Sequence, residues 1–182
     1  HYGGITRSVR FTEYSNPFIE KYRISYDLDE TLENADLNVQ IHMANLNGSD
    51  YETPVNIYLD NELLCSEIIK FGKNPSAEIK NIKIPNIRLW NIGKPELYKV
   101  TLETADDDVT EQIGFRKIEV RGNKAYLNGN EVFFKGINRH EEHPDWGFAM
   151  PANLQKRDVG IIKDLGCNIV RGSHYPNSHT FL

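Results

Sequence analysis

Only two cysteines occur in the 182 residues, Cys65 and Cys167, and they fall in different halves of the chain. The absence of a CxxC pair and of any repeated cysteine spacing argues against a structural zinc site. Two buried free thiols are expected rather than a disulfide, which favours a reducing, cytoplasmic setting. The chain has no basic block. Its 21 Lys and Arg are outnumbered by 26 Asp and Glu, for a net charge of −5, which argues against nucleic acid or an anionic membrane surface as main partner. No apolar run approaches the ~20 residues of a membrane span. The opening His1-Tyr2-Gly3-Gly4 lacks both an initiator Met and a signal-peptide pattern, so the chain reads as a piece of a longer protein. No internal repeat or low-complexity segment is evident.

What is present points to β structure. Phe18, Tyr22, Ile24, Tyr26 and Leu28 share one parity, with Lys21, Arg23, Ser25 and Asp27 on the other. Leu37, Val39, Ile41 and Met43 alternate in the same way with Asn38, Gln40 and His42. Period two over such lengths predicts half-buried antiparallel strands. Further strand-like runs cover 55–59, 63–69, 78–84 and 98–102, and two more cover 5–11 and the region of Ile113. Turn residues separate them: Asn47-Gly48, Asp60-Asn61, Gly72-Lys73-Asn74-Pro75 and Gly93-Lys94-Pro95. Seven or eight short strands in about 110 residues predict a small β-sandwich of immunoglobulin type. The acidic stretch Ala105-Asp106-Asp107-Asp108 reads as its last loop.

The pattern changes near residue 112. Asn128-Gly129 is a strong hairpin turn signal between strand-like segments. An apolar run, 132–137, then ends in Asn138-Arg139-His140-Glu141-Glu142-His143-Pro144. A helix is predicted over about 153–165. Asn153 is placed as N-cap, Leu154, Asp158, Ile161, Ile162 and Leu165 share one face, and Gly166 serves as the left-handed residue after the end. A second apolar run, 167–170, ends in Arg171-Gly172-Ser173-His174-Tyr175-Pro176. Strand, crossover helix and strand make a parallel βαβ unit, and ligands of parallel α/β folds sit at the carboxyl ends of strands.

The string His140-Glu141-Glu142-His143 invites a metal reading, but it fails on spacing. A helical zinc motif needs histidines four apart, and these are three apart and followed by Pro144. Strand-end polar residues commonly do no more than cap or pair in solvent. Two such clusters at the ends of consecutive parallel strands make that account insufficient for Asn138, Arg139, His140, Arg171 and His174. Neutral and cationic donors gathered there suit a polyhydroxylated ligand or a carboxylate.

The strings GFRKIEV (114–120), LNGNEVFFKGINRHEEHP (127–144) and NIVRGSHYP (168–176) closely resemble glycoside hydrolase family 2, which contains β-galactosidases and β-glucuronidases. The opening YGGITRSV resembles the exit from that family's jelly-roll domain, and IRLWNIGKPELYKVTLE resembles the end of its immunoglobulin-like domain. Gly172 departs from the family pattern, which commonly has Ser, Thr, Cys or Ala there.

The resemblance implies a retaining glycosidase that uses two carboxylates about 5–5.5 Å apart through an oxocarbenium-like transition state. Both catalytic glutamates of the family come from later barrel strands, so no catalytic residue is assigned within this chain. Glu141 and Glu142 are read as loop residues supporting the site. By motif, His140 and His174 resemble histidines that contact sugar hydroxyls, and Arg171 resembles the arginine beside the nucleophile. Asn138 and Arg139 resemble supporting residues behind them.

The expected fold is mainly β: residues 1–112 as an immunoglobulin-like sandwich, 113–182 as the first βαβ unit of a (β/α)8 barrel. The expected function is cleavage of terminal β-linked sugars, β-galactosides first, with no metal or other cofactor in this segment. A carbohydrate substrate and a homo-oligomer are the expected partners. The alternatives are a β-glucuronidase of the same family and a non-catalytic sandwich module serving structure or interaction.

Overall fold

The computed structural model describes residues 4–182, so His1 and also Tyr2 and Gly3, with which the jelly-roll-like string begins, lie outside the described residues. Twelve strands and one helix follow in order: β1 Phe18–Leu28, β2 Ala35–Ala44, β3 Tyr51–Leu59, β4 Glu62–Phe71, β5 Ser76–Ile84, β6 Tyr98–Glu103, β7 Asp108–Ile113, β8 Ile118–Arg121, β9 Lys124–Leu127, β10 Asn130–Val132, β11 Gly136–Arg139, α1 Ala152–Asp164 and β12 Ile169–Gly172. The helix is too short and too polar to cross a membrane.

Strands β1–β7 form the sandwich, as one sheet in the order β1-β2-β5 and another in the order β4-β3-β6-β7. The alternation of β2 puts Leu37, Val39, Ile41 and Met43 inside, none above 2% exposed. They meet Val55, Ile57, Phe71, Ile79, Val100 and Leu102 from the other strands in one core. Each such side chain contributes on the order of 1.5–3 kcal/mol by leaving water. The turns follow from their residues: Asp60 and Asn61 both hold positive φ, 48° and 74°, as a tight hairpin requires.

Two strands break strict alternation. In β1 a register shift between Ile19 and Lys21 lets Ile19 enter the core on the opposite parity from Ile24 and Tyr26. In β5 the irregularity falls between Ile79 and Ile82, both buried. Asn81 there adopts φ 57°, and its N–H is satisfied by the Asn38 side chain at 3.0 Å.

The predicted strand at 5–11 is not formed. Ile5, Val9 and Phe11 are exposed, and a period-two pattern without a partner strand makes no ladder. The described residues divide into two compact units, one Glu13–Glu131, the other residues 4–12 together with Val132–Leu182. Residues after Ile113 stay with the sandwich because Phe115 is fully buried in its core, edge-on to Tyr26 and Tyr98 at 4.9 and 5.1 Å. The Tyr26 hydroxyl also donates to the Gly114 carbonyl and accepts from the Arg116 N–H. The β8–β9 hairpin is tied in by Asn128, whose side chain accepts from Lys117 N–H and donates to Trp90 O and Asn91 Oδ1. Asn128 and Gly129 hold φ 51° and 77°, the hairpin turn expected there.

In the other unit, β11 and β12 pair in parallel, Asn138 opposite Arg171, with α1 as the crossover between them. The first of these strands begins later than expected. Val132 ends the β8–β9–β10 sheet, and residues 133–135 belong to no strand. The helix starts after Pro151, which makes no side-chain cap, so Asn153 is not the N-cap. Proline suits this entry because the first N–H groups of a helix lack internal partners. Gly166 has φ 71° and its N–H bonds Lys163 O, as a left-handed terminator should. Gln155 and Ile162 are the buried residues of the helix, whereas Ile161 and Leu165 are exposed. Both cysteines are free and only half-buried.

Candidate functional site

His140 is the first residue after β11 and His174 the second after β12, so both stand at the carboxyl ends of paired parallel strands. Their rings meet edge to face with centroids 5.5 Å apart. Arg171 joins them: its Nη2 lies 3.1 Å from His174 Nδ1 and its Nη1 donates to Ser173 Oγ at 3.3 Å. A guanidinium has no acceptor, so Nδ1 of His174 accepts and its ring proton resides on Nε2. The Ser173–His174 peptide is cis. Asn138, His140, Arg171 and His174 are all exposed. The sequence-derived set of His140, Arg171 and His174 is thus brought together, with Asn138 opposite Arg171 in the ladder.

Arg139 behaves differently. Strand alternation turns it away from Asn138 and His140, and its side chain is 5% exposed. Its Nε and Nη2 reach Asp158 Oδ2 on α1 at 2.9 and 2.8 Å, Nη2 also contacts Met150 Sδ, and the guanidinium stacks 4.0 Å from the Phe181 ring centroid. Arg139 therefore fastens β11 to its crossover helix.

Gly172 carries no positive φ; a Cβ there would stand 2.6 Å from Asn177 Nδ2, so the Asn177 side chain fills the space another residue would use.

Glu141, read from the sequence as a loop residue supporting the site, completes the surroundings with Arg7 and Tyr175, which the sequence reading did not single out. Glu141 is fully buried and accepts from Arg7 Nη2 at 2.5 Å across 134 residues of sequence. Its N–H donates to the Tyr175 hydroxyl at 2.9 Å, and the Tyr175 ring lies 6.2 Å from His140 and 5.9 Å from Phe148. Tyr175 was visible as part of the string ending in Pro176; nothing local marked Arg7. Glu142 is exposed, and His143 is engaged in the turn to Gly147, its Nδ1 accepting from Asp145 N–H. Among the described residues no three His, Cys, Asp or Glu side chains gather as metal ligands would.

A cavity of about 440 Å3 lined by Thr6, Arg7, Phe148, Tyr175 and Pro176 flanks this cluster. A larger recess of about 580 Å3 lies in the other unit, on the outer face of the β1-β2-β5 sheet. In it Gln40 pairs with Glu78, and His42 pairs with Ser76 and with Glu20.

Family-wide patterns match nearly the whole chain. The one described as "Glycosyl hydrolases family 2" covers residues 18–116, more than half of the sequence, and "Glycosyl hydrolases family 2, TIM barrel domain" covers 118–182. The chain belongs to glycosyl hydrolase family 2. It is 30% identical over 178 residues to a β-galactosidase of Actinobacillus pleuropneumoniae, spanning 98% of this chain and 17% of that protein. It is 36% identical over 184 residues to a putative β-glucuronidase of Formosa agariphila, spanning 96% and 22%. The crystal structure of a family 2 β-galacturonidase from Eisenbergiella tayi bound to galacturonate superposes with a TM-score of 0.83 at 27% identity, covering 93% of this chain and 30% of that one. The chain spans only 17% to 27% of the length of such curated relatives. Within the family, the fold is accounted for as its sandwich domain followed by the first strands of its TIM barrel.

Proposed function

We propose that this chain supplies one wall of the sugar site of a retaining β-glycosidase that removes terminal β-linked sugars. The observation that carries the reading is the convergence of His140, Arg171 and His174 at the carboxyl ends of β11 and β12. Imidazole N–H groups held edge to face give fixed donors for sugar hydroxyls, and fixed donors are worth most where charge develops in the transition state. Arg171 places a permanent cation there, which would keep a neighbouring carboxylate ionised and oriented. Asn138 adds an amide on the same face, and Arg139 holds the strand from behind.

The two carboxylates of the retaining mechanism are assigned by family resemblance to later barrel strands. Glu141 is not one of them, being buried and paired with Arg7. We expect no cofactor to be held within this chain.

The substrate we favour is a β-galactoside, on the Asn138-Arg139-His140 form of the motif and relatives such as the Actinobacillus enzyme. A β-linked uronic acid is the second reading, supported by the Formosa relative and the Eisenbergiella structure. Steady-state hydrolysis of 4-nitrophenyl β-galactoside and β-glucuronide by the whole protein separates them. A kcat/KM at least ~100-fold higher for the galactoside, about the discrimination one pocket contact set can supply, supports the first. The reverse ratio establishes the second, and turnover of neither removes both.

A further inference from the structure

We propose that Glu141 and Arg7 are positioning residues for the His140–His174 pair, which makes the N-terminal segment 4–12 a working part of the site; the proposal rests on the sugar-site reading above. Glu141 follows His140 directly, so wherever its carboxylate is anchored, His140 is constrained through one peptide. That carboxylate is fully buried, and an ionised group in such a place requires partners. It has Arg7 Nη2 at 2.5 Å on Oε2, and on Oε1 the Ser178 N–H at 3.4 Å with Arg139 Nη1 at 3.9 Å.

Two partners of Glu141 lie in the loop that carries the second histidine, both just beyond it. Its own N–H is bonded to the hydroxyl of Tyr175, next to His174, and its carboxylate to the backbone of Ser178, four residues beyond. Arg7 makes the same connection from outside, donating to Phe148 O at 3.4 Å and Pro176 O at 3.3 Å while bound to Glu141. One guanidinium thus clamps the loop after β11 and the loop after β12, the two segments that carry the imidazoles. An anchor serving the fold alone would not need to engage both. Met150, Gln155 and Asp158, which hold α1 in place, are bonded without any help from Arg7.

The test uses the 182-residue chain with imidazole nitrogens observed by NMR, and needs no ligand. Variants Arg7→Met, Arg7→Lys and Glu141→Gln are compared with wild type. Arg7→Met and Glu141→Gln should shift the ring nitrogen signals of both His140 and His174 and weaken the cross-relaxation between the two rings at least two-fold. The amide signals of α1 and of the Glu13–Glu131 unit should stay in place. Arg7→Lys, which keeps a cation on Glu141, should restore most of the wild-type ring pattern. Unchanged imidazole signals in Arg7→Met would overturn the proposal. So would changes that appear only together with loss of the α1 amides, since these would mark a plain structural anchor. Failure of the sugar-site reading would appear separately, as no response of His140 and His174 in the whole protein to added galactonolactone or the corresponding uronic acid lactone, leaving the variant comparison readable.

Discussion

The bond between Arg139 and α1 is the point at which the account is most exposed, because a buried ion pair is easy to misjudge. Replacing Arg139 with Met keeps similar volume and removes the charge. Asp158 then loses two short bonds on α1, and Glu141 keeps Arg7 but loses the more distant cation. Deleting one partner of a buried pair costs roughly 3–5 kcal/mol when the other is left wholly in the interior. Asp158 is 30% exposed, so water recovers part of that, and about 2–3 kcal/mol is expected here. The double variant Arg139→Met/Asp158→Leu removes both charges, and its cost should fall by at least ~1 kcal/mol relative to the sum of the single variants. Hydrogen exchange of the α1 amides through a urea series measures this, with the β2 amides as control in the separate unit. An Arg139→Met variant within ~0.5 kcal/mol of wild type, the scatter expected of an unimportant surface change, would refute the reasoning. Strict additivity of the two substitutions would refute it equally.

Three further outcomes are expected. Gly160 lies within α1 with open space around its missing Cβ, so Gly160→Ala should stabilise the α1 unit by ~0.5–1 kcal/mol in the same urea experiment. Phe115→Ala should cost the sandwich unit ~3–5 kcal/mol in thermal or urea unfolding, since the ring is fully buried between two tyrosines. The Asp29 carboxyl is held below its ordinary value of 3.8, chiefly by the Asn34 side-chain amide. Its contribution to stability is therefore complete above that value and lost as pH falls through the lowered one, and carbon-detected titration of Asp29 in Asn34→Ala should show the midpoint moving upward.

Much of the sandwich was legible because β2 and its neighbours bury one face and expose the other, a pattern that local residues alone set. The exceptions lie where tertiary pairing overrides parity. Ile19 enters the core only through the irregularity beside Glu20, and the 5–11 alternation has no partner strand to express it. Helix α1 was found, but its start was misread because Pro151 ends the preceding loop and Asn153 makes no cap. At the site, the short strings ending in Pro144 and Pro176 identified His140, Arg171 and His174. They placed Arg139 together with Asn138 as support behind the cluster, whereas alternation sends Arg139 to the buried side and leaves Asn138 exposed. Glu141 looked like one more loop carboxylate because its partner Arg7 is remote in sequence.

The central claim is that His140, Arg171 and His174 act together on the sugar. Its most direct test is kcat/KM of the whole protein on its preferred nitrophenyl β-glycoside, for His140→Ala, His174→Ala and Arg171→Met against Glu142→Gln, an exposed neighbour outside the cluster. Each of the three should fall by ~10²–10³-fold, the usual loss for one preorganised donor, while Glu142→Gln stays within a few-fold of wild type. Wild-type kcat/KM in the histidine variants, with the fold intact by circular dichroism, would contradict the account.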